Sequence, residues 1–238
     1  MRLAHEHPWN VSPQEAIAIQ RQLRQWVAAK NELGEVKTVA GVDVSTRGEM
    51  SHAAVVILSY PDLNPLASST ATLPLQFPYI PGLLSFREAP AVLAAFDKLS
   101  KLPDLIIVDG QGMAHPRRLG IATHLGVLLD HPTVGCAKSW LCGTYEQPPA
   151  TAGSFSYLYD RDEVIGAVVR TRNGVEPLFV SIGHKVDLDT AIAYVLRCCR
   201  NYRLPETTRW AHKVAGGKRS PRRSASPCWT FRVSRLSG

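Results

Sequence analysis

The sequence predicts an α/β fold in which helices flank a mixed central sheet. Three strand-like segments follow one another with short connections between residues 36 and 75, which is typical of an antiparallel meander. Helical and strand patterns alternate after residue 83, and the run from 105 to 108 is apolar throughout, as in a central strand buried on both faces. With 238 residues, the chain is long enough for one sizeable domain and its core.

The first half of the chain supplies the meander. Ser12 is suited to cap a helix and Pro13 to occupy its first position, so a helix is predicted over residues 13–30. Strand patterns rich in Val, Ile and Leu follow it. They cover residues 36–44, 52–58 and 66–75.

Two prolines interrupt this pattern in a loop over residues 78–82, because proline disfavours both helix and ladder. Beyond the loop the predicted elements are a helix at 85–99, a strand at 105–108, a helix at 119–129 and a strand at 133–137. A hairpin is predicted from 164–171 and 178–182 around Arg172-Asn173-Gly174, followed by helices at 187–202 and 206–214.

The positive charge of the chain is concentrated at its C-terminal end. The formal charge is +7, yet residues 1–212 carry 20 basic and 20 acidic side chains, and all seven excess basic residues fall in 213–238. We therefore predict a catalytic domain over residues 1–215 and a basic, disordered tail over 216–238. Net charge alone gives only weak support for nucleic-acid binding by the folded part.

Cysteine usage and hydropathy indicate a cytoplasmic protein. The five cysteines show no CxxC spacing, so we expect free thiols in a reducing compartment. No segment approaches the about 18 uninterrupted apolar residues that a membrane span requires, and the first ten residues lack the apolar core of a signal peptide. We expect no membrane association.

Three acidic residues mark the polar ends of predicted elements. Asp43 closes the first strand, Asp109 follows the apolar run at 105–108, and Glu88 lies near the start of the helix between them. A carboxylate at the end of an apolar strand is costly to bury alone. Several at one sheet edge can bind a hard divalent cation through oxygen, as Mg²⁺ prefers. The pattern indicates metal-assisted phosphoryl transfer, although each acid taken singly is more typical of a solvated strand end or a helix N-terminus.

The order of these elements, and the motifs around the acids, resemble the endonuclease V family, whose fold is ribonuclease-H-like. The resemblance spans residues 12–214 and depends on several separated motifs in a particular order. They are Gly41-Val42-Asp43-Val44-Ser45, Pro78-Tyr79-Ile80-Pro81-Gly82-Leu83-Leu84-Ser85-Phe86-Arg87-Glu88, Val108-Asp109-Gly110-Gln111-Gly112, His115-Pro116-Arg117-Arg118-Leu119-Gly120, Cys136-Ala137-Lys138-Ser139, Gly183-His184-Lys185 and Tyr202-Arg203-Leu204-Pro205-Glu206-Thr207-Thr208-Arg209.

The resemblance implies a DNA repair endonuclease that recognises deaminated adenine, that is, deoxyinosine. It would hydrolyse the second phosphodiester bond 3′ to the lesion and leave a 3′-hydroxyl and a 5′-phosphate. Asp43, Glu88 and Asp109 would hold Mg²⁺, for which Mn²⁺ can substitute, and His212 would complete the catalytic group. An exposed histidine at a helix end is the alternative for His212.

The remaining site residues are also implied by the resemblance. Tyr79, with Pro78, Ile80 and Pro81, would form a wedge that separates the strands at the lesion. The flipped base would enter a pocket formed by Gly82, Leu84, Gly110, His115, Gly120, Ile121 and Leu141. Arg87, Arg118 and Lys138 would contact phosphates, with Arg117 a weaker candidate.

Several alternatives to this function remain open. The substrate could be inosine in RNA rather than DNA, a difference set by 2′-hydroxyl contacts. A non-catalytic module that binds mismatched nucleic acid is another candidate, although all three acids are present. An actin-like phosphotransferase would need a second similar half, for which the length leaves no room. We expect the protein to act as a monomer.

Overall fold

The computed structural model describes residues 2–216, which form a mixed nine-stranded sheet flanked by helices. The helices are α1 (Pro13–Leu23), α2 (Leu84–Phe96), α3 (Ile121–Leu129), α4 (Leu188–Arg197) and α5 (Glu206–Ala215). The strands are β1 (Thr38–Arg47), β2 (Met50–Ser59), β3 (Pro65–Pro74), β4 (Leu105–Val108), β5 (Thr133–Ala137), β6 (Thr144–Tyr145), β7 (Phe155–Asp160), β8 (Glu163–Val169) and β9 (Leu178–His184).

The sheet order is β3-β2-β1-β4-β5-β9-β8-β7-β6. Strands β1, β2 and β3 form the predicted antiparallel meander, while β4 is parallel to both β1 and β5. Strands β9, β8, β7 and β6 extend the sheet in antiparallel pairs. The predicted α/β class with a mixed sheet is confirmed, and so is the predicted hairpin, formed by β8 and β9.

Strand β4 shows why the sheet has a hydrophobic core on each face. Successive side chains of a strand point to opposite faces. Ile106 and Val108 accordingly join one core with α2 and α3, whereas Leu105 and Ile107 join the other with α4 and α5. All four residues are buried, which explains the uninterrupted apolar run.

The first helix ends earlier than predicted, at Leu23, and a short 3-10 turn follows it. The chain then leaves the helix axis and pairs with the end of β9: the Ala28 N–H donates to His184 Nδ1 at 3.2 Å, and the N–H of the next residue, Lys185, donates to the Ala28 carbonyl at 2.7 Å. The helix predicted at 187–202 likewise ends at Arg197, because the Cys198 carbonyl accepts from the Glu206 N–H that begins α5.

Strands β6 and β7 were not predicted. β7 lies near the edge of the sheet and exposes Phe155, Tyr157 and Tyr159 on one face, while Leu158 is its one buried residue. Its pattern therefore lacks the apolar content of the more central strands. β6 contains two residues and forms through its pairing with β7.

Two further expectations can be compared with residues 2–216. Four of the five cysteines lie in this part and are free thiols, as predicted. None of its helices combines the length and apolar character that crossing a bilayer needs. The predicted basic tail lies outside the described residues, apart from Gly216.

Candidate active site

The three predicted acidic residues meet at the C-terminal end of β4, in the middle of the sheet. Strands β1 and β4 run parallel with Val42 beside Val108, so the next residues, Asp43 and Asp109, emerge side by side. The Asp109 N–H donates to the Val42 carbonyl at 3.1 Å and maintains this register. Glu88 reaches the same place from the second turn of α2, and the three carboxylates line one cavity of about 170 Å³.

These carboxylates share a poorly solvated space. Burial, followed by the charges of Asp43 and Asp109, raises the pKa of Glu88 to about 8. Burial also raises the pKa of Asp109, although Lys138 opposes the shift. Two effects that both disfavour the ionised form therefore act on this cluster, and a bound divalent cation would relieve both.

Two cationic or polar side chains lie against the acids. Lys138 forms an ion pair with Asp109, and His212 Nδ1 lies 3.0 Å from Asp43 Oδ2. Within residues 2–216, no three acidic, histidine or cysteine side chains already form a metal-ligating group. The donor set nevertheless suits a hard cation, because all three acids offer carboxylate oxygens. For these oxygens to bind a cation, Lys138 would have to release the Asp109 carboxylate, and His212 would have to release Asp43 Oδ2.

His212 reaches the site because α5 packs very closely on β1. A Cβ added to Gly41 would lie 1.9 Å from the carbonyl oxygen of Thr207, so only glycine permits this approach. The Ser45 hydroxyl donates to the Ala215 carbonyl at 2.8 Å and anchors the other end of the helix. His212 therefore faces Asp43 with 65% of its side chain still exposed.

A second cavity, of about 290 Å³, opens beside the acids. It brings together all seven residues predicted for the base pocket, in addition to Tyr79, Ile80, Pro81 and Lys138. Asp109, Leu84 and Ile121 line both cavities, so the two share a wall. Sequence reasoning missed other lining residues, namely Gln20, Ser85, Gln111, Leu119, Ala137, Ser139 and Trp140.

His115 lines this second cavity, and both of its ring nitrogens are hydrogen-bonded within the protein. Its Nε2–H donates to the Gly82 carbonyl at 2.9 Å, and its Nδ1 accepts from the Arg117 N–H at 3.1 Å. Burial lowers its pKa to about 4, so the ring is neutral at physiological pH. Both nitrogens are occupied, and His115 therefore holds the pocket wall together and is not free to bond a base.

The predicted wedge projects from a well-anchored loop. Tyr79 is 69% exposed, whereas Phe77 is buried and Ile80 packs on the cluster around Phe86. Arg87 Nη1 donates to the Phe77 carbonyl at 2.9 Å. One N–H group of the Arg87 guanidinium thus supports the loop. From the sequence, only a phosphate contact is predicted for Arg87.

Arg118, which is predicted to contact a phosphate, forms its hydrogen bonds within the protein. Its side chain is buried and donates to Glu163 at 2.9 and 2.7 Å, to Asp160 at 2.7 Å and to the His115 carbonyl at 2.9 Å. The carboxylates raise its pKa. Arg118 thus ties the loop after β4 to the turn between β7 and β8, and its present partners are protein groups. Its predicted phosphate contact stays a prediction. Arg117 bonds the Gly82 carbonyl at 2.7 Å and also supports the pocket wall.

A partly buried relay of hydrogen bonds, also missed from the sequence, ends at the pocket residue Ser85. His7 Nδ1 lies 2.9 Å from the Pro8 carbonyl, which can only accept, so His7 Nε2 accepts from His124 Nε2–H at 2.8 Å. His124 Nδ1 then accepts from the Ser85 hydroxyl at 2.9 Å. Burial lowers the pKa of both histidines, consistent with neutral rings. The relay depends on the hydrogen bond between His7 and His124, which are 117 residues apart in the sequence, so no local pattern could predict it.

Comparison with known proteins places the chain in a family. The Endonuclease V family model matches residues 21–213. An endonuclease V of Trichormus variabilis is 54% identical over 221 residues, which cover 92% of this chain and all of that protein. The resemblance inferred from the motifs is thereby confirmed.

Solved structures agree with this assignment. An endonuclease V from Streptomyces avermitilis superposes with a TM-score of 0.83 at 44% identity, covering 87% of this chain and 93% of the other. Endonuclease V of Ciona intestinalis, in complex with a 24mer DNA containing an inosine followed by a ribo-adenosine, superposes with a TM-score of 0.74 at 29% identity, covering 85% and 95%. They confirm the ribonuclease-H-like fold, and the chain belongs to the endonuclease V family.

Proposed function

We propose that this protein is a DNA repair endonuclease that recognises deoxyinosine and hydrolyses the second phosphodiester bond 3′ to it, leaving a 3′-hydroxyl and a 5′-phosphate. Family membership makes the chain a nuclease, a hydrolase of phosphodiester bonds. The Ciona relative was crystallised with inosine-containing DNA, which supports the same substrate class here.

The shared wall between the two cavities is the observation that carries this proposal. Asp109, Leu84 and Ile121 separate the acidic cavity from the larger one. If a nucleotide occupied the larger cavity, the adjacent phosphodiester bonds of its strand would lie close to the carboxylates. Recognition of one nucleotide and hydrolysis of a nearby bond on the same strand follow from this arrangement.

Asp43, Glu88 and Asp109 are the residues that would hold a metal ion, and we propose Mg²⁺, with Mn²⁺ as a substitute. When bound, the ion would polarise the scissile phosphate and lower the pKa of an attacking water. The three carboxylates would orient the ion at the C-terminal end of β4. Because Glu88 must lose a proton held with a pKa of about 8, we expect metal binding to strengthen with rising pH.

Lys138 and His212 are proposed to act on the substrate side of the acids. The side chain of Lys138 is 39% exposed and now forms an ion pair with Asp109. Once Asp109 binds the metal ion, the ammonium group of Lys138 would move to contact a substrate phosphate instead. His212 faces Asp43 with an exposed imidazole, which suits it to hold or pass a proton from water or from the leaving oxygen.

The larger cavity is proposed to receive the flipped base, and Tyr79 to fill the gap that this base leaves in the duplex. A mispaired hypoxanthine leaves the stack more cheaply than a paired base. Since His115 is fully bonded within the protein, reading of the base edge falls on the backbone and on other side chains of the wall.

A denaturing-gel assay on end-labelled DNA with one deoxyinosine tests the proposal. We expect a nick at the second bond 3′ to the lesion with Mg²⁺ and none with EDTA, and no nick in the same DNA carrying adenine. Asp43→Ala should lower the rate by about 10³-fold or more, because metal-assisted charge stabilisation contributes several kcal/mol.

The same assay separates the alternatives. A matched inosine-containing RNA cleaved faster than the DNA would move the proposal to an endoribonuclease. Specific binding to inosine DNA without cleavage of either substrate would instead indicate a recognition module. We propose that the active form is a monomer, and a nicking rate proportional to enzyme concentration would agree with that.

A further inference from the structure

Trp140 is a large exposed side chain at the rim of the cavity proposed for the flipped base. It is 54% exposed and lines that cavity, two residues after Lys138. It belongs to none of the hydrophobic clusters formed by the described residues. The fold therefore gains little from its apolar surface.

Apart from Tyr79 and Trp140, the exposed Trp, Tyr and Phe residues of the described chain each contact another ring or a cationic group. Trp26 stacks on His5 with ring centroids 4.5 Å apart, and Arg209 lies over the ring of Tyr202. Phe155, Tyr157 and Tyr159 pack edge to face in a row. Among residues 2–216, the exposed aromatic rings without such a partner are Tyr79 and Trp140, and both line the same cavity.

Trp140 is also held in place, although it is exposed. Its indole N–H donates to the Gly143 carbonyl at 3.0 Å. Gly143 has a φ of +86°, and an added Cβ would lie 2.5 Å from the Tyr159 carbonyl oxygen, so this turn requires glycine. Gln111 Nε2 donates to the Ser139 carbonyl at 2.9 Å and fixes the preceding residue. A fixed, uncovered indole is preorganised to stack on a flat ligand.

We infer that Trp140 is a stacking platform for the nucleobase that flanks the lesion nucleotide on the inosine-containing strand. This inference rests on the proposed function. Aromatic rings next to cationic groups are the usual means of binding unpaired bases, and Lys138 supplies the cation here. Because Trp140 is exposed at the rim, it is placed to meet the neighbour of the flipped base and not the flipped base itself.

Binding measurements in EDTA test this inference without the cleavage step. Dye-labelled DNA with one deoxyinosine would be titrated and followed by fluorescence anisotropy. Trp140→Ala should weaken binding by about 5- to 150-fold, the range for loss of one stacked base, whereas Trp140→Phe should stay within about threefold of the unchanged protein. Trp26→Ala is the matched control, since Trp26 is similarly exposed at 57% but lies outside the cavity.

A second substrate isolates the stacking contact. When abasic residues replace both bases that flank the inosine, the unchanged protein should bind as weakly as Trp140→Ala, and the substitution should have no further effect. Inosine DNA with both flanking bases should quench the tryptophan fluorescence of the unchanged protein. The same DNA should not quench the fluorescence of Trp140→Phe, because the quenched emission comes from Trp140. Thermal melting would confirm that the variants are folded.

The outcomes are distinguishable. Equal affinity of Trp140→Ala and the unchanged protein would overturn the inference, and so would a loss that is as large on the doubly abasic DNA. A protein that binds inosine DNA no better than adenine DNA would instead overturn the proposed function, and the stacking role with it.

Discussion

Glu88→Gln should stabilise the metal-free protein while abolishing cleavage. Burial and the neighbouring acids raise the pKa of Glu88 from 4.5 to about 8. Below pH 4.5 the carboxyl is protonated in both the folded and the unfolded states. Between pH 4.5 and about 8 the folded protein retains a proton that the unfolded chain has released, so stability falls by about 1.4 kcal/mol per pH unit. Above the folded pKa the loss is complete.

The expected size follows from this shift. With allowance for partial solvation, Glu88→Gln should gain about 2 to 4 kcal/mol over the unchanged protein at pH 8 and almost nothing at pH 4.5. A gain of that size corresponds to a rise in Tm of roughly 5–15 °C for a domain of this length. Thermal unfolding in EDTA, followed by circular dichroism from pH 4.5 to 8.5, measures it directly.

Control and metal titrations sharpen the test. Glu49→Gln, an exposed residue in the turn between β1 and β2, should not change Tm at any of these pH values. At pH 8, Mg²⁺ should raise the Tm of the unchanged protein more than that of Glu88→Gln, because the carboxylate is needed to hold the ion. If the Tm gain of Glu88→Gln were absent at pH 8, or equal at every pH, the electrostatic account of this cluster would be wrong.

Three other perturbations test the fold around the site. Gly41→Ala should displace α5, because the new methyl group would lie 1.9 Å from the Thr207 carbonyl, and should cost about 1 to 3 kcal/mol with a large loss of nicking; Gly34→Ala, with nothing within 4 Å, should change neither. Arg118→Met should lower the free energy of unfolding, measured with urea, because it removes a buried hydrogen-bonded group. If Arg118 were a phosphate contact, the substitution would instead change the salt dependence of DNA binding and leave the free energy of unfolding unaltered. Deletion of residues 217–238 should leave nicking of an inosine substrate intact at low salt and make DNA binding less dependent on salt concentration, and a folded but inactive truncated protein would refute the predicted domain boundary.

Local patterns in the sequence account for most of the framework. The apolar run of β4 coincides with its predicted bounds, since an uninterrupted run of Leu, Ile and Val is stable only between two covered faces. The predicted bounds of β5 are also those observed. The meeting of Asp43 and Asp109 also follows from sequence order, because the parallel pairing of β1 with β4 ends at Val42 beside Val108. Asp43 does not close its strand as predicted, since β1 continues to Arg47 in its pairing with β2. What local patterns missed was β7, whose half-exposed aromatic residues carry no signal of burial.

The sequence by itself determined the fold class, the family and the residues whose chemistry suits metal-assisted hydrolysis, because these depend on residue type, periodicity and order along the chain. Only the tertiary structure decided how those residues are used. Arg118 pairs with the carboxylates of a distant turn, and both ring nitrogens of His115 are hydrogen-bonded within the protein. Trp140 is exposed at the rim of the cavity. Hydrogen-bond partners and solvent exposure are set by contacts between segments far apart in the chain, and no local pattern encodes them.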